Sequence, residues 1–161
     1  MKSLAKLTIV IVLTSLANNI AAQSAFDKMT NDKMGKILHR VSQKVEGNAG
    51  QWQVTYAERV LFIITDENAN RMRVMTPIVE EKDVEQEIMK KLLEANFDRA
   101  LDAKYSIYQD FVWSVFTHPF GELTVEQFKD AMKQVATLAD RYGSSYSSTD
   151  FVFGGGQESD N

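Results

Sequence analysis

Side chains able to do chemistry are few in this 161-residue chain, and their spacing argues against most of the chemistry they suggest. Asp66, Asn68 and Asn70 carry oxygens at alternate positions, as at the start of a calcium-binding loop. Such a loop then needs a glycine to turn sharply and an acidic residue six positions further on, where this chain has Arg71 and Pro77. Asp66–Asn70 therefore reads as a hairpin turn. The two histidines, His39 and His118, have no partner at the i, i+4 spacing of metal-binding helices, so no metal site is expected. Ser144, Ser145, Ser147 and Ser148 form no Gly-x-Ser-x-Gly elbow, and no histidine neighbours them in sequence. A hydrolase would need the fold to bring His118 to a distant serine or carboxylate, and this is kept as a lesser alternative. Gly154, Gly155 and Gly156 have no following helix to offer its N-terminus to a phosphate, and no cofactor is expected. Five aromatic side chains remain, Trp52, Tyr56, Tyr105, Phe111 and Trp113, all on expected strands. An aromatic strip across a sheet either binds a peptide or sugar or lies in the core beneath a helix.

Charge and composition set the compartment. Lys2 and Lys6 precede the apolar run Leu7 to Leu16, and Ile20, Ala21 and Ala22 offer small residues for cleavage, the pattern of a secretory signal peptide over residues 1–22. The run is about ten residues, short of the roughly 18 that span a bilayer, so no lasting membrane anchor is expected after cleavage near Ala22. The exported chain, periplasmic or secreted, keeps 16 basic against 22 acidic residues, a net charge near −6. That balance argues against nucleic acid, whose phosphates are bound by clustered Lys and Arg. With no cysteine there is no disulfide framework and no thiolate metal site, so the core alone must hold the fold. Residues 23–148 suffice for one domain burying roughly two-thirds of its unfolded surface. Residues 149–161 are expected to form a flexible Gly/Ser-rich tail, and composition extends the same expectation back to Ser144.

The elements that position these residues follow from hydrophobic period. Met34, Ile37, Leu38, Val41 and Val45 recur at helical spacing, with Asn31 or Asp32 as N-cap and Gly47 past the end. Gln51–Tyr56 reads as a strand and Ala57–Arg59 as a tight connection. Val60–Thr65 is apolar throughout, which suits a central strand covered on both faces. Arg71–Val79 alternates, setting Met72, Val74, Thr76 and Ile78 against Arg71, Arg73, Met75 and Pro77, with the strand running to Pro77. Asp83 and Gln86 resemble a capping pair for a helix from about Val84 to Ala95, whose first turns carry acidic residues suited to the helix dipole. Lys104–Tyr108 and Phe111–His118 form a hairpin around Gln109 and Asp110. Thr124 and Gln127 cap a final helix with a broad apolar stripe, closed by Gly143.

The stretches Arg71-Met72-Arg73-Val74-Met75-Thr76-Pro77, Leu92-Leu93-Glu94-Ala95-Asn96-Phe97, Val112-Trp113-Ser114-Val115-Phe116-Thr117-His118-Pro119 and Leu123-Thr124-Val125-Glu126-Gln127-Phe128, in that order, resemble the YbjN and type III secretion chaperone-like superfamily. With the upstream helix and strands the resemblance covers about residues 27–148. It implies an α+β fold, often a homodimer, and no enzyme. Combined with the element order read above, the expectation is a twisted, mainly antiparallel five-stranded sheet packed with three helices in the order α-β-β-β-α-β-β-α.

The functional expectation is a non-catalytic, exported, chaperone-like protein holding a polypeptide partner on apolar surfaces, with Trp52, Tyr56, Tyr105, Phe111 and Trp113 as candidate contacts. A structural or regulatory homodimer without a client is the alternative.

Overall fold

The computed structural model describes residues 28–151; the expected signal peptide and residues 152–161, including Gly154–Gly156, lie outside it. Along the chain come α1 (Asn31–Val41), β1 (Lys44–Asn48), β2 (Gln51–Tyr56), β3 (Arg59–Asp66), β4 (Arg71–Glu80), a 3₁₀ turn (Glu81–Asp83), α2 (Gln86–Asp98), β5 (Lys104–Tyr108), β6 (Phe111–His118) and α3 (Val125–Asp140). The strands form one sheet in the order β1-β2-β3-β4-β6-β5, every neighbouring pair antiparallel. The three-helix α+β architecture is as expected, but the sheet has six strands rather than five. Among the described residues no helix is long and apolar enough to cross a membrane.

The extra strand is β1, in a stretch that periodicity assigned to the first helix. Val45 follows Val41 at helical spacing, but α1 stops at Val41 and Ser42 is extended (φ −109°, ψ 150°). Val45 instead pairs across the sheet with Val54. Gly47 sits inside this strand at φ +93°, where a Cβ would collide with the Gln51 carbonyl oxygen, so only glycine fits. The α1 N-cap is Thr30, one residue before the expected position, and its side chain accepts from the Lys33 amide. Two other boundaries also move. Strand β4 runs through Pro77 to Glu80, with a shift in its register against β6 between Pro77 and Val79. The β3 ladder on its other side ends at Met75, so Pro77 is not asked for a hydrogen bond there. Helix α2 begins at Gln86 without a side-chain cap, leaving Asp83 in the 3₁₀ turn.

Two hairpin turns are built without glycine. Tyr56 pairs with Arg59 across Ala57 (φ 48°) and Glu58 (φ 63°), and Tyr108 pairs with Phe111 across Gln109 (φ 47°) and Asp110 (φ 62°). Positive φ at both central residues is the type I′ geometry that matches strand twist, and it favours Asn-Gly. Replacing Ala57→Asn together with Glu58→Gly is expected to stabilise the fold by about 1 kcal/mol. The measurement is urea unfolding, with a raised midpoint at unchanged slope.

All three helices take one face of the sheet. Helix α3 packs over β4, β6 and β3, α1 against β1, and α2 against β5. Trp52, Val54, Leu61, Ile63, Met72, Val74, Val112 and Phe116 point into this layer and meet Met34, Leu38, Leu92, Phe128, Met132, Val135 and Leu138. Thr124 and Gln127 close the expected capping box on α3, each side chain bonding the other's backbone amide. Residues 144–150 do not stand away from the domain. Ser148 Oγ accepts from the Leu101 amide at 2.7 Å, Ser147 Oγ donates to the Arg99 carbonyl at 3.1 Å, and Arg141 binds both the Thr149 carbonyl and Asp150. Composition could not register these serines as buried backbone partners.

Candidate functional site

The face opposite the helices is apolar at its centre, and among the described residues no other element covers it. Strand alternation sends Val60, Phe62 and Ile64 of β3, Met75 and Pro77 of β4, and Phe111, Trp113 and Val115 of β6 to this side. Register then aligns them in rows: Phe62, Met75 and Val115 lie side by side across three strands, and Pro77 lies beside Trp113. The Trp113 ring meets Phe62 edge-on at 6.2 Å and Phe111 at 6.5 Å between centroids. Its indole N–H donates to the Tyr108 carbonyl at 2.8 Å, which fixes the ring and leaves its apolar surface half-exposed. Val60 and Ile64 are each 41% exposed. Strand β3 is therefore central, as its apolar run suggests, but among the described residues only one of its faces is covered.

The five aromatic candidates divide between the two faces. Trp52 is buried in the core, its ring lying under Gly35 of α1, and Tyr56 packs part-buried on the same side. Tyr105 is buried too, donating its hydroxyl to the Leu138 carbonyl at 2.9 Å. Burial raises the pKa of that phenol, with smaller contributions from Tyr146 and Tyr142, which keeps it a donor at any physiological pH. Only Phe111 and Trp113 reach the open face. Phe62, Ile64 and Met75 join them there; the sequence did not single out Phe62 and Ile64 because an unbroken apolar run hides which of its two faces is open, nor Met75 because alternation does not say which side of the sheet the helices cover.

A second apolar surface lies where α2 meets edge strand β5. Leu93 and Phe97, one helical turn apart, are 71% and 87% exposed, with Ile107 and Tyr108 also exposed. Beside them is a groove of about 230 Å³ lined by Met89, Leu92, Leu93, Tyr105 and Ile107 among others. The edge itself is partly closed. Asn96 accepts from the Tyr105 amide at 2.7 Å and donates to its carbonyl at 3.0 Å, occupying both backbone groups that an added strand would use there. Lys104 Nζ donates to the carbonyls of Asn96 and Ala100 at 2.5 and 2.6 Å, and burial lowers its pKa.

The polar candidates bind the chain itself. In the Asp66–Asn70 turn, Asp66 accepts from the Ala69 amide, Glu67 from the Asn31 amide and Asn70 from the Gly121 amide. Among the described residues no group of three or more His, Asp or Glu side chains could hold a metal ion. His118 Nδ1 lies 2.7 Å from the Pro119 carbonyl, and its ring stacks on Phe116. The pocket of about 310 Å³ that it lines with Asp102, Gln127 and Asp130 contains no serine. The hydrogen-bond partners of Ser147 and Ser148 are backbone groups rather than a histidine. A broader depression of about 1060 Å³ between α1 and the start of α3 is lined by charges of both signs, among them Lys36, Arg40, Glu122 and Glu126.

Sequence reasoning also missed Gln134. It stands on the apolar stripe of α3 between Ala131 and Leu138 and is fully buried. Its Oε1 accepts from the Asp102 and Ala103 amides at 2.9 and 3.2 Å, and its Nε2 donates to Asp130 at 2.6 Å and Asp102 at 3.2 Å. A polar residue on an apolar stripe was the available signal.

The described residues thus form a two-layer α+β sandwich with one sheet face open. The sequence matches no protein-family model and no curated protein. Among solved structures, a chain of the HopA1-SchA chaperone-effector complex is similar, with a TM-score of 0.50 and 12% identity over 68% of this chain and 95% of that one. At that identity, what the two chains share is the fold.

Proposed function

We propose that this chain, once residues 1–22 are removed, works outside the cytoplasm as a non-catalytic, chaperone-like protein that holds a segment of another polypeptide. The observation that carries this reading is the apolar face around Phe62, Met75, Trp113 and Val115, which no described element covers. A contiguous patch of that kind, rimmed by polar residues, marks an interaction surface on a soluble domain. The fold shared with a chain of a chaperone-effector complex supports the same reading. The face suits an extended segment, because alternate side chains can enter the rows between strands while the segment's backbone remains solvated. The test is titration of residues 23–161 into a fluorescein-labelled, permanently unfolded polypeptide, read by anisotropy. Saturable binding that quenches Trp113 is expected; no binding at concentrations up to about 1 mM overturns the reading.

A second reading, a homodimer, is favoured by the exposed Leu93 and Phe97 on α2. Light scattering is then expected to give twice the chain mass for the wild type and the monomer mass for Leu93→Lys with Phe97→Lys. A monomeric wild type at micromolar concentration removes this reading.

A further inference from the structure

The open face is apolar in the middle but has a cation at one end. Arg71 and Arg73 point to the same side as Met75 and Pro77. Arg71 lies opposite Asp66 in the register and donates to the Asn70 carbonyl at 2.8 Å, and the cross-strand neighbours of Arg73 are Ile64 and Thr117, neither of them charged. Among the described residues no carboxylate pairs with Arg73, and its side chain is exposed. At the opposite end of the face Glu80 lies beside Phe111 and is already paired with Lys82.

Resting on the polypeptide-binding reading above, we infer that the bound segment is acidic as well as apolar, with a carboxylate that meets Arg73. The sheet register fixes the spacing. Along β6 the outward positions run Trp113, Val115, Thr117; Trp113 stands beside Pro77, Val115 beside Met75 and Thr117 beside Arg73. At about 3.4 Å per residue, Arg73 is four residues, roughly 14 Å, from the Trp113 row. A segment extended along β6 therefore places one apolar side chain on Trp113, a second on the Phe62–Met75–Val115 row two residues on, and an Asp or Glu beside Arg73 two residues beyond that. Arginine can hold that carboxylate through two parallel N–H donors. The net charge near −6 of residues 23–161 repels acidic segments at long range, so the preference depends on this local contact and weakens with salt.

The test uses residues 23–161 and three labelled peptides built on one alternating Leu-Ser-Leu-Ser-Leu block. Each has a serine next to the block and then Asp, Asn or Lys at both ends, so that binding direction does not matter. The wild type is expected to bind the Asp peptide about fivefold more tightly than the Asn peptide, and the Lys peptide least. Arg73→Glu is expected to invert that order and Arg73→Ala to abolish the preference for Asp over Asn, without change in melting temperature because the side chain is exposed. Equal affinity for all three peptides, or an order that survives Arg73→Glu, overturns the inference while the polypeptide-binding reading stands. Failure to bind any of the three, together with failure to bind the unfolded polypeptide, overturns both.

Discussion

Truncating Trp113 and Phe62 to alanine together is expected to weaken binding of an unfolded polypeptide about 30-fold, or roughly 2 kcal/mol, with the fold intact. The two rings stand edge to face on the open side of the sheet, and Trp113 is held in place by its bond to the Tyr108 carbonyl. A large aromatic group that is already oriented gives up little rotamer entropy on binding, which is why such groups dominate contact surfaces. Stability should fall only modestly, because neither side chain belongs to the helix-covered core. Trp52→Phe serves as the contrast: it alters a buried ring under α1 and is expected to move the melting temperature while leaving affinity unchanged. The reverse pattern, with binding lost on changing Trp52 and kept without Trp113 and Phe62, would move the site away from the open face.

The largest loss of stability is expected at Gln134. Replacing Gln134→Leu leaves the part-buried amide of Asp102 and the buried amide of Ala103 without their acceptor, and an unsatisfied buried group costs about 1–3 kcal/mol. A total near 3 kcal/mol lowers the melting temperature of a domain this size by roughly 12 °C. Asp102 and Ala103 lead directly into β5, so the same change should loosen that edge, with amide exchange rising first at Lys104 and Tyr105. Gln134→Glu makes a sharper test. It keeps an acceptor for the two amides but sets a buried carboxylate against Asp130 and Asp102, which raises the pKa of the introduced group in the folded state. A raised carboxyl pKa means that the folded protein binds the proton more tightly than the unfolded chain. The variant should therefore recover stability as pH falls from 7 towards 5. A Gln134→Leu protein as stable as wild type would mean that the 99–103 loop is held by other contacts.

Features that depend on neighbours in sequence were legible from the residues. The Thr124–Gln127 box, the alternation that separates Met72, Val74 and Thr76 from Arg71, Arg73 and Met75, and the turn at Gln109–Asp110 all appear where sequence placed them. Features that depend on distant partners were not. Val45 satisfies a helical period after Val41 and a strand pairing with Val54 equally well, and only the pairing, together with the glycine-only approach at Gly47, decides for β1. Ser147 and Ser148 look like linker residues until the Arg99 and Leu101 backbone is brought against them.

The same division runs through the candidate site. By itself the sequence determined that Phe111, Trp113 and Val115 share one face of their strand, because side chains alternate with a period of two whatever surrounds them. It likewise determined that Trp52, Val54 and Tyr56 share a face, and that no cysteine framework braces the fold. The tertiary structure alone decided which of those faces meets the helices. Alternation is symmetric between the two sides of a sheet, and the choice is made by how α1, α2 and α3 pack across strands far apart in the chain. That packing buries Trp52 and Tyr105, leaves Trp113 and Phe62 in the open, and sets Arg73 at the end of their row.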